Sequence, residues 1–193
     1  MKKIILGALT AGLLATSASA VSVEAIGGSF NGISDNGVKV IDSSYVNIAD
    51  NGFVIETSGQ MTKEGQFDAN VNLQSTFHGG FIYKAGAGVE SFKANTVATV
   101  VDSKYPDPDA QTSVQKSFTQ AYANVGVSTF LDTDVNVATN LKVGKDKATA
   151  SLSVTKYFEN RVYTRITLEK SKLFDNDLIE PSNSGNIAIG YTF

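Results

Sequence analysis

The chain has 193 residues, with 16 lysines and arginines against 19 aspartates and glutamates, one histidine and no cysteine. Without cysteine there is neither a disulfide framework nor a thiolate metal site, and the mildly acidic balance argues against a nucleic-acid partner. Mean hydropathy is close to zero, which suits a water-soluble domain and equally a barrel whose strands each have one apolar and one wet face.

Met1-Lys2-Lys3, the short apolar run from Ile4 to Ala15 and the small-x-small site Ala18-Ser19-Ala20 read as a secretory signal peptide over residues 1–20. The apolar run is too short to span a bilayer. Val21 follows the expected cut, so a lipid-anchored cysteine is excluded. The mature part, 21–193, is one domain's worth of chain; losing Lys2 and Lys3 leaves 14 basic against 19 acidic residues, a net charge of −5. No later segment approaches eighteen apolar residues, so no transmembrane helix is predicted.

From residue 21 the dominant period is two. Residues 21–30 alternate and suit a first strand. Residues 37–48 are strand-like in composition but show no clean face. Asp-Asn-Gly occurs at 35–37 and again at 50–52, and Asn-Gly suits hairpin turns. Eight further strands follow, in which apolar and small residues take every second place. They start with Phe53, Ile55, Thr57, Gly59, Met61, and then Phe67, Ala69, Val71, Leu73, Ser75, Phe77. A third has Phe81, Tyr83, Ala85, Ala87, Val89, and a fourth Ala121, Ala123, Val125, Val127, Thr129, Leu131. Val135, Val137, Thr139, Leu141, Val143 make a fifth, and Ala148, Ala150, Leu152, Val154 a sixth. The last two are Val162, Thr164, Ile166, Leu168 and Ile187, Ile189, Tyr191, Phe193. Two strands from 21–48 would make ten in all. If that stretch is instead an arm or part of a long first loop, the count is eight; the turn at 50–52 favours ten.

The faces carry the argument. The apolar faces hold no charge except Lys156, at the end of its strand. The opposite faces hold Glu24, Glu56, Asp68, Lys84, Glu90, Lys142, Arg161, Arg165 and Glu169. A lipid-facing Arg or Lys near the midplane would cost ~2–4 kcal/mol, so a charge-free outer face is what a membrane barrel requires. The clean segments are close to the ~9–11 residues a tilted strand needs to cross. The turns at 50–52, 78–80, 132–134 and 159–160 are tight, whereas the long connectors, 93–114 and 172–184, fall in the intervening set. Short turns at one end and longer loops at the other are a barrel habit. Aromatics gather beside the tight turns: Phe53, Phe77, Phe81, Phe130, Tyr157, Phe158, Tyr191 and Phe193, as at a membrane–water boundary. The prediction is an all-β, antiparallel, up-and-down transmembrane barrel. Its charged residues form a paired network in the lumen, and its inward Gly86 and Gly88 leave room for Arg or Lys from facing strands.

The leader "MKKIILGALTAGLLATSASA" together with the C-terminal "IAIGYTF" resembles the small outer-membrane β-barrel proteins of Gram-negative bacteria, of the OmpA-membrane-domain and OmpX type, porin-like in architecture. The resemblance implies an outer-membrane location. It also implies that Ile187, Ile189, Tyr191 and Phe193 form the signal read by the barrel-assembly machinery, and that outer-membrane lipid and lipopolysaccharide surround the barrel. Enzymes in that class generally use a His placed in the outer half. Here the only histidine, His78, falls in a tight turn, some 25 Å from the other rim, so no catalytic residue, cofactor or metal is predicted. The acidic residues Asp102, Asp107, Asp109, Asp175, Asp177 and Glu180 read as solvated loop carboxylates. The functional expectation is a non-enzymatic integral barrel that supports envelope integrity and presents its long loops, one stiffened by Tyr105-Pro106-Asp107-Pro108, to an unknown extracellular ligand. The alternative is a small-solute diffusion channel.

Overall fold

A computed structural model describes residues 19–30, 37–48, 51–63, 65–75, 79–99, 111–174 and 183–193. It contains β1 (Ser19–Phe30), β2 (Gly37–Ile48), β3 (Asn51–Thr62), β4 (Phe67–Ser75), β5 (Phe81–Thr99), β6 (Gln111–Asp132), β7 (Val135–Gly144), β8 (Lys147–Tyr157), β9 (Val162–Leu173) and β10 (Asn183–Thr192). Each strand pairs antiparallel with its sequence neighbour, and β1 closes on β10, so the ten form a barrel without edges. The strand count is therefore ten and not eight: residues 21–48 supply β1 and β2. Of the expected leader, only Ser19 and Ala20 are described, and they extend β1; residues 1–18 lie outside the described residues. So do His78, Phe77 and the six loop carboxylates named above.

Closure is direct. Val23 lies opposite Tyr191 and Ala25 opposite Ile189. The Phe193 amide donates to the Val21 carbonyl at 2.8 Å, and the Thr192 amide to the Arg161 carbonyl at 3.0 Å. Backbone groups inside lipid have no water to bond, so an unbroken ladder is the condition for spanning a membrane.

The register fixes the shape. From Lys172 on β9, a row of partners runs through Ala148, Val143, Ala123, Ala87, Val71, Thr57, Asp42 and Val21. It continues onto Phe193, and one step further meets β9 again at residue 160. The shear is therefore 172 minus 160, or 12 residues, over ten strands. With the usual rise and strand spacing, this gives a strand tilt of roughly 40° and a backbone radius of roughly 10 Å. Along any such row, each step to the next strand changes height by roughly 3 Å.

All tight connections of one set lie at one rim: the short gap after β2, Gly79-Gly80 before β5, Thr133-Asp134, and Phe158–Arg161. In the last of these Arg161 takes a positive φ of 66°. The turn is held by the Phe158 amide on the Val162 carbonyl at 2.9 Å and the Arg161 amide on the Phe158 carbonyl at 3.2 Å.

The connector expected over 93–114 is a strand ribbon for much of its length. β5 and β6 stay paired from Ser91 opposite Thr119 to Thr99 opposite Gln111. Pairing of β5 with β4 stops at Glu90 and that of β6 with β7 at Tyr122, so among the described residues these nine pairs stand with no flanking strand. At the usual rise the ribbon is roughly 30 Å long. The outward face here turns polar, with Ser91 and Lys93, and the apolar Phe92, Ala94 and Phe118 lie on the other face, so the alternation of the barrel strands does not continue into it.

Side chains divide by parity. Val71, Leu73, Phe81, Tyr83, Val89, Val125, Leu141, Leu152, Ile166, Leu168 and Ile189 are all exposed on the outside. Few apolar side chains are buried: Ile26, Phe92, Ala94, Tyr122, Tyr163 and Ala188. A water-soluble domain buries its Leu, Ile and Val; this molecule exposes them and buries Glu24, Glu90, Asn72, Asn124 and Gln120.

Charges on the outer wall are few and sit toward the rims. Lys156 pairs with Asp134 at the tight-turn rim, both well exposed. Lys170 and Lys172 lie at the opposite rim. Asp42 is the reason 37–48 has no clean face: it points outward between Val21 and Thr57 while Lys39 and Ile41 line the lumen. Its row places it only two steps above Phe193, near the tight-turn boundary.

Candidate functional site

The lumen is where the chemistry lies. Alternation sends every second side chain inward, and the register decides which of these meet. An internal cavity of about 300 Å³ is lined by Glu24, Lys39, Glu56, Asp68, Lys84, Lys142, Arg165 and Glu169 together with Ser, Thr, Asn and Gln side chains.

Four ion-paired groups line the wall. Near the tight-turn rim, Glu24 lies between β9 partners: Arg165 Nη1 is 2.5 Å from Glu24 Oε1, and the Tyr163 hydroxyl donates to the same oxygen at 2.9 Å. Arg165 Nε donates to Thr155 Oγ1 at 3.0 Å. Glu24, Tyr163 and Thr155 are each only 2% exposed. A carboxylate so enclosed is tolerable only because its oxygens are bonded to charge and hydroxyl.

The second group is centred on Glu56. Lys84 Nζ approaches Oε1 at 3.3 Å, Asn72 Nδ2 donates to Oε1 at 2.9 Å, and Gln74 Nε2 donates to Oε2 at 2.8 Å. Asn124 extends it by donating to Asn72 Oδ1 at 2.8 Å. In the third, Asp68 pairs with Lys142 and accepts from the Tyr122 hydroxyl at 2.5 Å, while the Lys142 ammonium lies 4.8 Å from the Tyr122 ring centre. In the fourth, at the base of the ribbon, Glu90 Oε1 receives Gln120 Nε2 at 2.8 Å and Lys147 Nζ at 3.3 Å. Gln120 Oε1 accepts the amides of Asp146 and Lys147, at 2.8 and 3.0 Å, which ties β6 to the β7–β8 turn. Phe92 stacks on Phe118 at 5.4 Å and packs under Lys147, 4.3 Å from the ring centre.

Each pair joins strands two or three places apart: β1 and β9 across β10, β3 and β5, β4 and β7, and β5 and β8. No pair joins opposite strands, although the β4–β7 and β5–β8 pairs cut across part of the lumen. Two glycines make room for these groups. Gly88 lies opposite Tyr122 and Gly190 opposite Tyr163, and a Cβ at either would run into the tyrosine ring. The aromatic lies flat over the glycine of the next strand, a known device for covering strand glycines. The room at Gly86 and Gly88 is thus filled by Asn72 and Tyr122, not by Arg or Lys.

No family model matches the chain, and no curated protein matches it. Among solved structures it is similar to the NanC porin, with 10% identity and a TM-score of 0.46 over 90% of this chain and 99% of that one. It is also similar to the KdgM porin, with 10% identity and a TM-score of 0.43 over 91% and 99%. An outer membrane channel from Pseudomonas putida F1 gives 9% identity and a TM-score of 0.42 over 93% and 97%.

Of the charged residues read from sequence, Glu24, Glu56, Asp68, Lys84, Glu90, Lys142 and Arg165 enter the four groups. Glu169 lines the cavity without an ion pair among the described residues. Arg161 is the exception: it is exposed in the turn, because its left-handed backbone takes it out of the strand alternation. Two lumen cations were missed. Lys147 lies beside a turn by sequence, and only the β5–β8 proximity reveals its partner. Lys39 lies opposite Glu24 but in the strand with no clean face; it has no ion pair among the described residues.

The aromatic belt also needs correction. Phe130 and Tyr157 line the internal cavity. Tyr157 continues an inner row, 6.2 Å from Phe130 and 5.6 Å from Tyr163 between ring centres. Tyr191 and Phe193, in edge contact at 5.1 Å, remain on the outside.

Proposed function

We propose that this protein is an outer-membrane diffusion channel for small hydrophilic solutes. The observation that carries the reading is a ten-stranded cylinder whose lumen ion pairs join strands two or three places apart and never opposite ones, with no described segment folded across the interior. An eight-stranded barrel is filled by its own side chains; ten strands with a shear of 12 give more room. Among the described residues three buried acceptors have no protein partner, and two of them, Asn124 Oδ1 and Asn140 Oδ1, belong to residues that line the cavity; the third is Asp42 Oδ1. A buried acceptor left unbonded costs about 1–3 kcal/mol, and a wet lumen removes that cost. The uncharged middle of the outer wall supports the membrane setting.

The test is single-channel recording of the folded protein in planar bilayers. Discrete conductance steps are expected. Lys39→Glu exchanges an unpaired lumen cation for an anion, so the reversal potential in a salt gradient should move toward cation preference. If a barrel shown to be folded by its heat-modifiable gel migration gives no steps above the bare bilayer, the lumen is closed and the channel reading fails. A second reading then takes precedence: a structural barrel that makes surface contacts through the unflanked β5–β6 ribbon, for which the nine free-standing pairs are the support.

A further inference from the structure

The outer wall is not uniformly convex. A depression of about 890 Å³ crosses β6 to β10. It follows two adjacent rows of strand partners. One runs Val125, Leu141, Ala150, Lys170, and the next includes Thr139, Leu152 and Leu168. Ala150 and Thr139 make a low floor between exposed Val125, Leu141, Leu152 and Leu168. Four strand spacings make it roughly 19 Å long. The strand tilt raises it from mid-barrel at Val125 to the rim opposite the tight turns at Lys170.

The upper end carries the charge. Lys170 lies in the groove's own row, and Lys172 stands on the same face of β9, opposite Ala148. Both are exposed and neither makes an ion pair among the described residues. Ser171, between them in sequence, and Glu169, just before Lys170, point to the lumen by alternation. The result is an apolar channel open to hydrocarbon below and two adjacent ammonium groups at the headgroup level above.

We propose that this groove is a binding site for a phosphate-bearing lipid of the outer leaflet, one acyl chain lying along Val125, Leu141, Leu152 and Leu168 and the phosphate held by Lys170 and Lys172. The inference rests on the membrane-spanning reading but not on conduction. Inside a bilayer a chain gains packing and not dehydration from a groove, so shape selects the chain and the lysine pair selects the phosphate. Lysine stems can lie on the apolar wall while the ammonium groups stay at the interface.

The experiment is native mass spectrometry of the full chain folded in detergent micelles, titrated with bisphosphorylated lipid A. One bound lipid is expected. Lipid A stripped of its phosphates should bind at least tenfold more weakly. Lys170→Gln with Lys172→Gln should weaken lipid A to the same extent. Ala150→Trp, which raises the groove floor and leaves the lysines intact, should also release it. Millimolar inorganic phosphate should not displace the lipid; if it does, the site is one for a free anion and the proposal falls. It falls equally if the double lysine variant or Ala150→Trp binds lipid A as the parent does, or if the phosphate-free lipid binds as well. Heat-modifiable migration of the same samples reports folding, and failure to enter micelles at all would sink the membrane reading instead.

Discussion

Leu141 and Lys142 are sequence neighbours that live in opposite solvents. Leu141 lies outside, between Val125 and Ala150, on a wall whose mid-section carries no charge. Lys142 lies inside, between Asn124 and Thr149, bonded to Asp68. The outer face is specified by type alone: any apolar side chain of tolerable size meets lipid equally well. The inner face is specified by identity, because each carboxylate must meet its own cation at the right height on a strand two or three places away. A register slip of one residue would exchange the two faces completely.

Three substitutions test this contrast in descending order of effect. Glu24→Ala leaves the Arg165 guanidinium enclosed beside Tyr163 with no counter-charge. Breaking a buried pair from one side costs about 3–5 kcal/mol, so the urea midpoint of the folded barrel should fall further than for any outer-face change. Glu24→Asp, which keeps the charge, should recover part of it. Leu141→Arg puts a charge on the lipid face in the groove row that starts at mid-barrel. The expected loss is ~2–4 kcal/mol, read as a lower folded fraction in bilayers, while Leu141→Ile should fold like the parent. Equal folding of Leu141→Arg would mean that this face does not meet hydrocarbon. The smallest effect belongs to Lys156→Ala, which removes the exposed pair with Asp134. Exposed ion pairs contribute ~0–1 kcal/mol, so the urea midpoint should barely move; a large shift would show that the tight-turn rim is enclosed.

The β5–β6 ribbon and the turn at Arg161 show where reading the chain alone goes astray. Beyond Val89 the outward face loses its apolar run and the apolar residues Phe92, Ala94 and Phe118 move to the other face, since a ribbon standing clear of the barrel wall has no lipid side. Period-two reading therefore ends where the membrane does, although the hydrogen-bonded ladder continues to Thr99 and Gln111. Arg161 keeps the parity of Tyr163 and Arg165 on paper, and a positive φ removes it from the strand. Nearness to tight turns groups Phe130 and Tyr157 with the outer aromatics. Parity counted from Asn124 and Ser151 sends both rings inward.

By itself the sequence determined eight of the strands, those from residue 53 on, with their two faces, and hence the barrel class, because alternation of apolar and polar residues is a local property written every second residue. It also put nine charges on the inward faces, of which the structure places all but Arg161 inside. Only the tertiary structure decided that Glu24 meets Arg165, Glu56 meets Lys84, Asp68 meets Lys142 and Glu90 meets Lys147. It alone placed Lys39 in the lumen without an ion pair among the described residues and joined Lys170 to the apolar row of Leu141. These contacts depend on shear, the summed offset of ten registers around a closed cylinder, and no single strand contains that sum.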